Sequence, residues 1–119
     1  MSTRWHDIQL HLQKEGFDAR PPGSDKSVGR CLSPYVVVRH DGSTRYAGIS
    51  TNVDVYSILV YVPKQRYSEL EVQVMSVKLA MKKLEPMILP NGSETPSFYD
   101  DGFQAHMISI QYKNYKKMP

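Results

Sequence analysis

A strand, a proline and a long helix follow one another between residues 52 and 84, and this unit carries the most regular pattern in the sequence. The predicted strand runs from Asn52 to Val62 and is almost continuously apolar from Val55 onward. Such a run indicates that both faces of the strand are covered, since a strand with one solvent-exposed face alternates apolar and polar residues. Pro63 ends the strand, because proline has no N–H to donate to a neighbouring strand. The fold therefore has to be built around a strand buried on two sides.

Residues 64–84 predict an amphipathic helix. Apolar side chains recur there at intervals of three and four residues, which places them on one helix face. They are Tyr67, Leu70, Val74, Val77, Met81 and Leu84. Val72, Met75 and Leu79 widen this apolar arc beyond a simple two-helix seam. Roughly twenty residues at ~1.5 Å each would span ~30 Å, enough to cross one face of a small sheet.

The remaining elements define the fold class. A short helix is predicted over residues 3–15, and strands are predicted over three stretches: 34–39, 44–49 and 105–115. Asp41-Gly42 is typical of a tight turn and predicts a hairpin between the first two of these strands. This order predicts a single domain, residues 1–119, of the α+β class. We expect a mostly antiparallel sheet of about four strands, packed by one long helix and one short helix.

The residue types that perform catalysis or bind metals are present, but their spacing matches no known site. None of the histidines has the spacing of a metal-ligand pair; they are His6, His11, His40 and His106. Cys31 is the only cysteine, which excludes an internal disulfide and favours an unreactive thiol. Asp100 and Asp101 are adjacent, so on a strand they would point to opposite faces and could not act as an acid–base pair. The sequence therefore predicts no enzymatic activity, no cofactor and no metal.

Charge and aromatic residues leave a second class of function open. The net charge of +3 and the pI of about 9.0 are mildly basic, and the Lys and Arg residues are scattered along most of the chain. Tyrosines and basic residues come together only at Tyr112–Lys117, with further arginines at Arg39–Arg45. Stacking tyrosines beside basic side chains are typical of single-strand binding. The alternative hypothesis is thus a small α+β nucleic-acid-binding module using these two segments.

Neither a membrane span nor a signal peptide is predicted. No apolar run approaches the ~20 residues that a transmembrane helix needs. The first residues carry His, Asp, Gln and Lys where a signal peptide has its apolar centre. These patterns predict a cytoplasmic chain without membrane contacts.

The layout and local sequence resemble a known family of structural proteins. A loop rich in Pro and Gly leads into Ser33–Val38, and Asn52–Ser57 (NVDVYS) is similar to a V-x-V-D-V-W/Y-S strand of that family. A helix at Tyr67–Leu84 and a closing strand at Met107–Tyr115 follow in the same order. In these features the chain resembles the tail-terminator proteins of long-tailed bacteriophages and prophages, also called tail-completion or head–tail joining proteins. The resemblance covers nearly the whole chain, but two loops, 21–31 and 87–97, have no counterpart in it.

The resemblance implies a structural virion protein located at the head–tail junction and assembled in the host cytoplasm. Proteins of this family form a homo-oligomeric ring, commonly a hexamer, that caps the tail tube and presents a docking surface for the head. The partners implied are other copies of the chain, a tail-tube protein and a head-connector protein. Genomic DNA would pass through the lumen without specific binding, which scattered charge allows.

Subunit contacts are expected in two places. The first is the hairpin at Arg39–Tyr46, where the interface residues would be Arg39, His40, Arg45 and Tyr46. The second is the face of the central strand that the long helix is expected to leave open, represented by Tyr56, Ile58 and Val60. Long loops in a small domain are usually functional, mobile or ordered by a partner, so loops 21–31 and 87–97 are further candidates.

Overall fold

The computed structural model describes residues 5–21, 33–45, 51–85, 87–102 and 104–117. These residues form two α-helices, one 3-10 helix and six strands. In chain order they are α1 (Trp5–Lys14), β1 (Ala19–Arg20), β2 (Tyr35–Arg45), β3 (Thr51–Pro63), the 3-10 helix (Lys64–Glu69), α2 (Leu70–Lys82), β4 (Leu89–Glu94), β5 (Phe98–Asp100) and β6 (Ala105–Lys117).

The strands form one mixed sheet with the order β1-β2-β3-β6-β4, in which β5 also pairs with β6. Only the pair of β1 with β2 is parallel among the strands described. Since β3 pairs with the whole of β6 on one side, β4 and β5 share the other side of β6. The predicted α+β class with two helices is confirmed, whereas the described residues form six strands rather than about four. The helix predicted to be long has 13 residues and the one predicted to be short has 10. The additional strands are short, and β4 contains Pro90 and Gly92, so they show no alternating pattern.

The turn predicted at Asp41-Gly42 is wrong. β2 continues through these residues to Arg45, and its register against β3 shifts between His40 and Gly42, as in a β-bulge. Gly42 has a φ of +119°, a conformation that glycine adopts without steric cost. An Asp-Gly pair supplies the same backbone freedom to a bulge as to a tight turn, so the dipeptide alone could not distinguish them. β2 therefore pairs with β3 beyond Gly42, as far as Arg45 with Asn52. Residues 46–49 of the predicted return strand lie outside the described residues.

Both helices pack on one face of the sheet. The side chains that form this core from the sheet are Val36, Val38, Tyr56, Ile58, Val60, Val62, Ile108, Ile110 and Tyr112. The helices contribute Ile8, Leu12, Leu70, Val74, Val77, Ala80 and Met81. His11 Nε2 lies 2.7 Å from the Ala80 carbonyl oxygen and links α1 to α2. The helix-covered face is thus the one that carries Tyr56, which reverses the assignment expected from the sequence.

The face of the sheet opposite the helices also carries a cluster of buried residues. Its cluster comprises Tyr35, Val37, Leu59, Tyr61, Ala105 and Met107. Tyr35 stacks on Tyr61 with 4.8 Å between the ring centroids, and the guanidinium of Arg20 lies 4.3 Å from the Tyr35 ring centroid. The prediction that β3 is covered on both faces is therefore confirmed for its residues from Tyr56 onward.

The sheet extends beyond this core. On the helix-covered face the buried apolar residues end at Tyr56 of β3 and Tyr112 of β6, yet both strands continue in register to the pair Thr51 and Lys117. At ~3.3 Å per residue this continuation is about 17 Å long. With residues 39–45 of β2 it forms a three-stranded extension, called here the distal arm (residues 39–45, 51–55 and 113–117). The molecule measures 48 × 26 × 26 Å along its principal axes.

Candidate functional site

The interface residues predicted on β3 lie in the interior of the subunit. Tyr56 and Ile58 are 0% exposed and Val60 is 1% exposed, because both helices pack on this face. These side chains have no surface to offer a neighbouring subunit. A contact between subunits has to be formed by other residues.

The interface residues predicted on β2 lie in the distal arm. Arg39 is half exposed, and its Nε donates a hydrogen bond of 2.6 Å to Oδ1 of Asp41. His40 points to the other side of the strand, where its Nε2 lies 3.7 Å from Oδ1 of the buried Asp54 and its ring lies against Tyr56. The side chain of Arg45, and Tyr46 altogether, lie outside the described residues. Arg39 and His40 thus share the arm but belong to opposite faces of it.

On the sheet face away from the helices, a network of polar side chains joins the arm to the neighbouring strands. The carboxylate of Asp41 accepts hydrogen bonds from Arg39, from Ser57 Oγ and, at 3.5 Å, from Gln111 Nε2. Gln111 in turn accepts a bond of 3.0 Å from Asn91 Nδ2. The network joins β2, β3, β6 and β4, so the bulge at His40–Gly42 places Asp41 as a link across four strands. Its carboxylate is neutralised by Arg39, which favours a structural role over a catalytic one.

The outer side of α2 exposes three large apolar side chains. Val72, Met75 and Leu79 are 64%, 59% and 62% exposed. With 3.6 residues per turn, these three side chains form one line on the helix side opposite Leu70 and Val77, which face the core. We call this line the α2 ridge (Val72, Met75 and Leu79). Monomeric proteins expose single apolar residues routinely, whereas contiguous apolar patches larger than roughly a few hundred Å² mark interaction surfaces. The aligned ridge is therefore a candidate interaction surface.

Charged residues flank the α2 ridge on one side in a definite order. Glu71 lies on this flank in the first turn of α2, and Lys78 and Lys82 lie on the same flank toward the C-terminal end. The ammonium of Lys78 lies 2.5 Å from Oε1 of Glu94 on β4. The flank is thus acidic at one end and basic at the other.

A groove separates this flank of α2 from β4. It contains two cavities of about 360 Å³ each, one near Lys82 and Tyr112 and one near Tyr67 and Ile108. Glu94 borders both cavities, so its ion pair with Lys78 lies between them. Burial, and then the negative charges of Glu94 and Glu85, raise the pKa of Tyr112 to about 12. A neutral phenol is therefore maintained at the floor of the groove, and it is a poor candidate for a general base at neutral pH.

Exposed aromatic rings lie at the end of the groove near β5. Tyr67 and Tyr99 flank the ring of His106, with centroid distances of 4.5 and 5.1 Å. Tyr67 and Tyr99 are both exposed, as is Phe98, which precedes Tyr99 in the chain. Aromatic side chains of this kind are enriched in protein interfaces. These rings and the α2 ridge could not be identified as surface from the sequence, because the same residue types in the same elements are equally typical of a core.

The residues of the nucleic-acid hypothesis do not form a shared surface where they are described. Tyr112 is 3% exposed and belongs to the core under the helices, so its ring cannot stack on a base. Arg39 is paired with a carboxylate. The side chains of residues 115–117 lie outside the described residues.

Comparisons with known proteins assign no family: the chain matches no family model and no curated protein. Within the described residues, no three His, Cys, Asp or Glu side chains come together in a group able to hold a metal ion. No helix among them has the length and apolar character needed to cross a membrane.

Proposed function

We propose that the chain is a structural protein that acts by assembling with other protein subunits, as a tail-terminator-like ring at the head–tail junction of a bacteriophage. The observation that carries the proposal is the α2 ridge, a line of exposed apolar side chains on a helix whose other side already fills the core. Burying the exposed parts of Val72, Met75 and Leu79 would stabilise a complex by about 1–2 kcal/mol each. The resemblance in sequence layout adds the phage tail as the setting.

A ring needs two different surfaces on each subunit, since every subunit meets one neighbour on each side. The distal arm supplies a second surface beyond the apolar core, where Arg39 is half exposed, and the hydrogen bonds of Asp41 join β2 to β3 and β6. We assign the contacts around the ring to the arm and the residue that follows its first segment, with Arg39, His40, Arg45 and Tyr46 as the contacting residues. The tail-tube protein and the head connector would meet the two flat sides of such a ring.

The experiment that tests the proposal is a capping assay with the tail-tube protein of the same phage or prophage. Tubes polymerised with the chain should be shorter than tubes polymerised alone, and electron microscopy should show a ring of extra density at one end. Unchanged tube lengths together with bare tube ends would overturn the proposal.

A matched pair of variants tests the role of the arm. Arg39→Gln removes the exposed charge but keeps hydrogen-bonding capacity, whereas Lys14→Gln makes the same kind of change on α1, away from the arm. We expect Arg39→Gln to reduce the fraction of capped tubes severalfold and Lys14→Gln to leave it unchanged. Equal effects of the two variants would remove the arm from the ring contact.

A further inference from the structure

We propose that two copies of this chain pair through α2, with the two helices antiparallel and the α2 ridges in contact around a twofold axis. The pairing does not rest on the proposed function: it concerns the chain in solution, whether or not the chain belongs to a phage. A twofold contact closes on itself and cannot propagate around a ring. The pair is therefore a form of the free chain, and in a ring the ridges would separate and contact the tail tube or the head connector instead.

The order of residues along the ridge suits a second copy of itself. The ridge centre lies near Met75, with Val72 on its N-terminal side and Leu79 on its C-terminal side. When an identical helix is placed antiparallel over this centre, Val72 of one copy faces Leu79 of the other, and the two Met75 side chains meet near the axis. Unbranched methionines adapt to such a contact, because their side chains can fill an irregular gap.

The charges on the flank select the antiparallel arrangement. A twofold axis perpendicular to both helices brings the flank of one copy beside the same flank of the other, but in reversed order. Glu71 of one copy then lies level with the segment between Lys78 and Lys82 of its partner, and the same pair of contacts is repeated on the other side of the axis. In a parallel arrangement this flank would lie beside the opposite flank of α2, which carries Gln73 and Ser76, and the charges would not meet.

The dimer is expected to be weak. α2 has 13 residues and is ~20 Å long, so the helix pair alone stays below the ~1,000 Å² expected of a stable interface. We expect a dissociation constant on the order of 100 µM, at the weak end of specific protein contacts. Lys78 is shared with Glu94 within the subunit, so Lys82 is the stronger partner for Glu71 of the other copy.

Sedimentation equilibrium from 10 µM to 1 mM tests whether the ridge mediates self-association. Wild-type chain should change from monomer to dimer over this range, and Leu79→Ser should weaken dimerisation at least tenfold. Leu10→Ser is the matched control, because Leu10 is an exposed leucine on α1, and it should change the dissociation constant less than twofold. A wild-type chain that remains monomeric at 1 mM would overturn the pairing and leave the ridge to a different protein.

Charge complementation tests the antiparallel order. Glu71→Lys and Lys82→Glu should each weaken the homodimer, because each places like charges opposite one another at both ends of the pair. An equimolar mixture of the two variants should dimerise as well as wild type. At one end of the mixed pair the introduced lysine faces the introduced glutamate, and at the other end the native Lys82 faces the native Glu71. Circular dichroism of the separate variants checks that both remain folded. If the mixture associates no better than the separate variants, the proposed arrangement is excluded.

Disulfide trapping locates the partner positions directly. In a chain with Cys31 replaced by Ser, Val72→Cys mixed with Leu79→Cys should yield crossed dimers on oxidation. Val72→Cys alone should crosslink poorly, because antiparallel copies of residue 72 are ~10 Å apart along the helix axis and a disulfide needs Cα atoms within about 7 Å. Dominant self-crosslinking of Val72→Cys would establish a parallel pair and overturn the inference.

Discussion

The two sides of α2 have nearly the same composition and opposite surroundings. The inner side carries Leu70, Val74, Val77 and Met81, all buried, and the outer side carries Val72, Met75 and Leu79, all mostly exposed. Aliphatic and methionine side chains occur on both sides at helical spacing. The difference shows that the apolar pattern of a helix determines how many sides need to be covered, while the fold determines which of them are covered inside the subunit.

The largest difference in the free energy of unfolding is expected between a charge placed on the inner side of α2 and the same charge placed on its outer side. Val77→Asp would bury a carboxylate at a position that is 0% exposed, at a cost of about 4 kcal/mol or more, which approaches the whole stability of a small domain. Leu79→Asp places the same group in water and should change the free energy of unfolding by less than about 0.5 kcal/mol. Urea unfolding at 10 µM, where the chain is monomeric, measures both.

A contrary result in this pair would be informative about the ridge. A strongly destabilised Leu79→Asp variant at low concentration would mean that the outer side of α2 is covered within the subunit. The ridge would then be removed as the basis of the assembly proposals.

The apolar pattern of residues 64–84 predicts the inner side of α2 but not the surroundings of its outer side. Period-three-and-four spacing correctly placed Leu70, Val74, Val77 and Met81 on one side, and Pro63 correctly ended the central strand. The same pattern could not show that Val72, Met75 and Leu79 face water, because an apolar residue at helical spacing is compatible with a core or with an interface. The helix was also expected to be ~30 Å long, whereas residues 64–69 form a 3-10 helix and α2 has only 13 residues.

For the sheet, prediction from the sequence fails at the short strands and at the choice of the helix-covered face. Both long strands β3 and β6 were predicted from their apolar patterns, but β1 and β5 are too short for any period to be recognised and β4 is interrupted by Pro90 and Gly92. The predicted choice of the helix-covered face of β3 is wrong, because Tyr56, Ile58 and Val60 are as apolar as Val55, Leu59 and Tyr61 and the pattern does not distinguish the two faces. That choice depends on how the helices cross the sheet, which is a property of the tertiary structure.

A smaller effect is expected when one methionine is truncated on each side of α2. Met81→Ala removes a side chain that is 1% exposed and should destabilise the protein by about 2–4 kcal/mol through lost burial and a cavity. Met75→Ala removes a side chain that is 59% exposed and should cost less than about 0.5 kcal/mol in the monomer. Thermal unfolding at 10 µM compares the two, and equal losses would contradict the inner and outer assignment.

The smallest effect concerns the boundary between the two sides, where Lys78 pairs with Glu94 across the groove. Both side chains are about two-fifths exposed, so Glu94→Gln should change the free energy of unfolding by less than about 0.5 kcal/mol. Glu94→Gln should also change the pKa of Tyr112. Burial holds the phenol neutral first and the Glu94 charge adds to it, so Glu94→Gln should lower the pKa of Tyr112 below its value of about 12.

Tyrosinate absorbance followed from pH 8 to 13 measures this shift, with Tyr112→Phe identifying the signal of Tyr112 among the other tyrosines. The sign for stability follows from the raised pKa. The neutral phenol contributes fully below its ordinary pKa near 10, and that contribution is lost as the pH rises from about 10 to 12. Tyr112→Phe should therefore remove part of the alkaline loss of stability. A Tyr112 that titrates near 10 in the wild-type protein would mean that the groove floor is open to water, and the inner side of α2 would then be less completely sealed than its buried residues indicate.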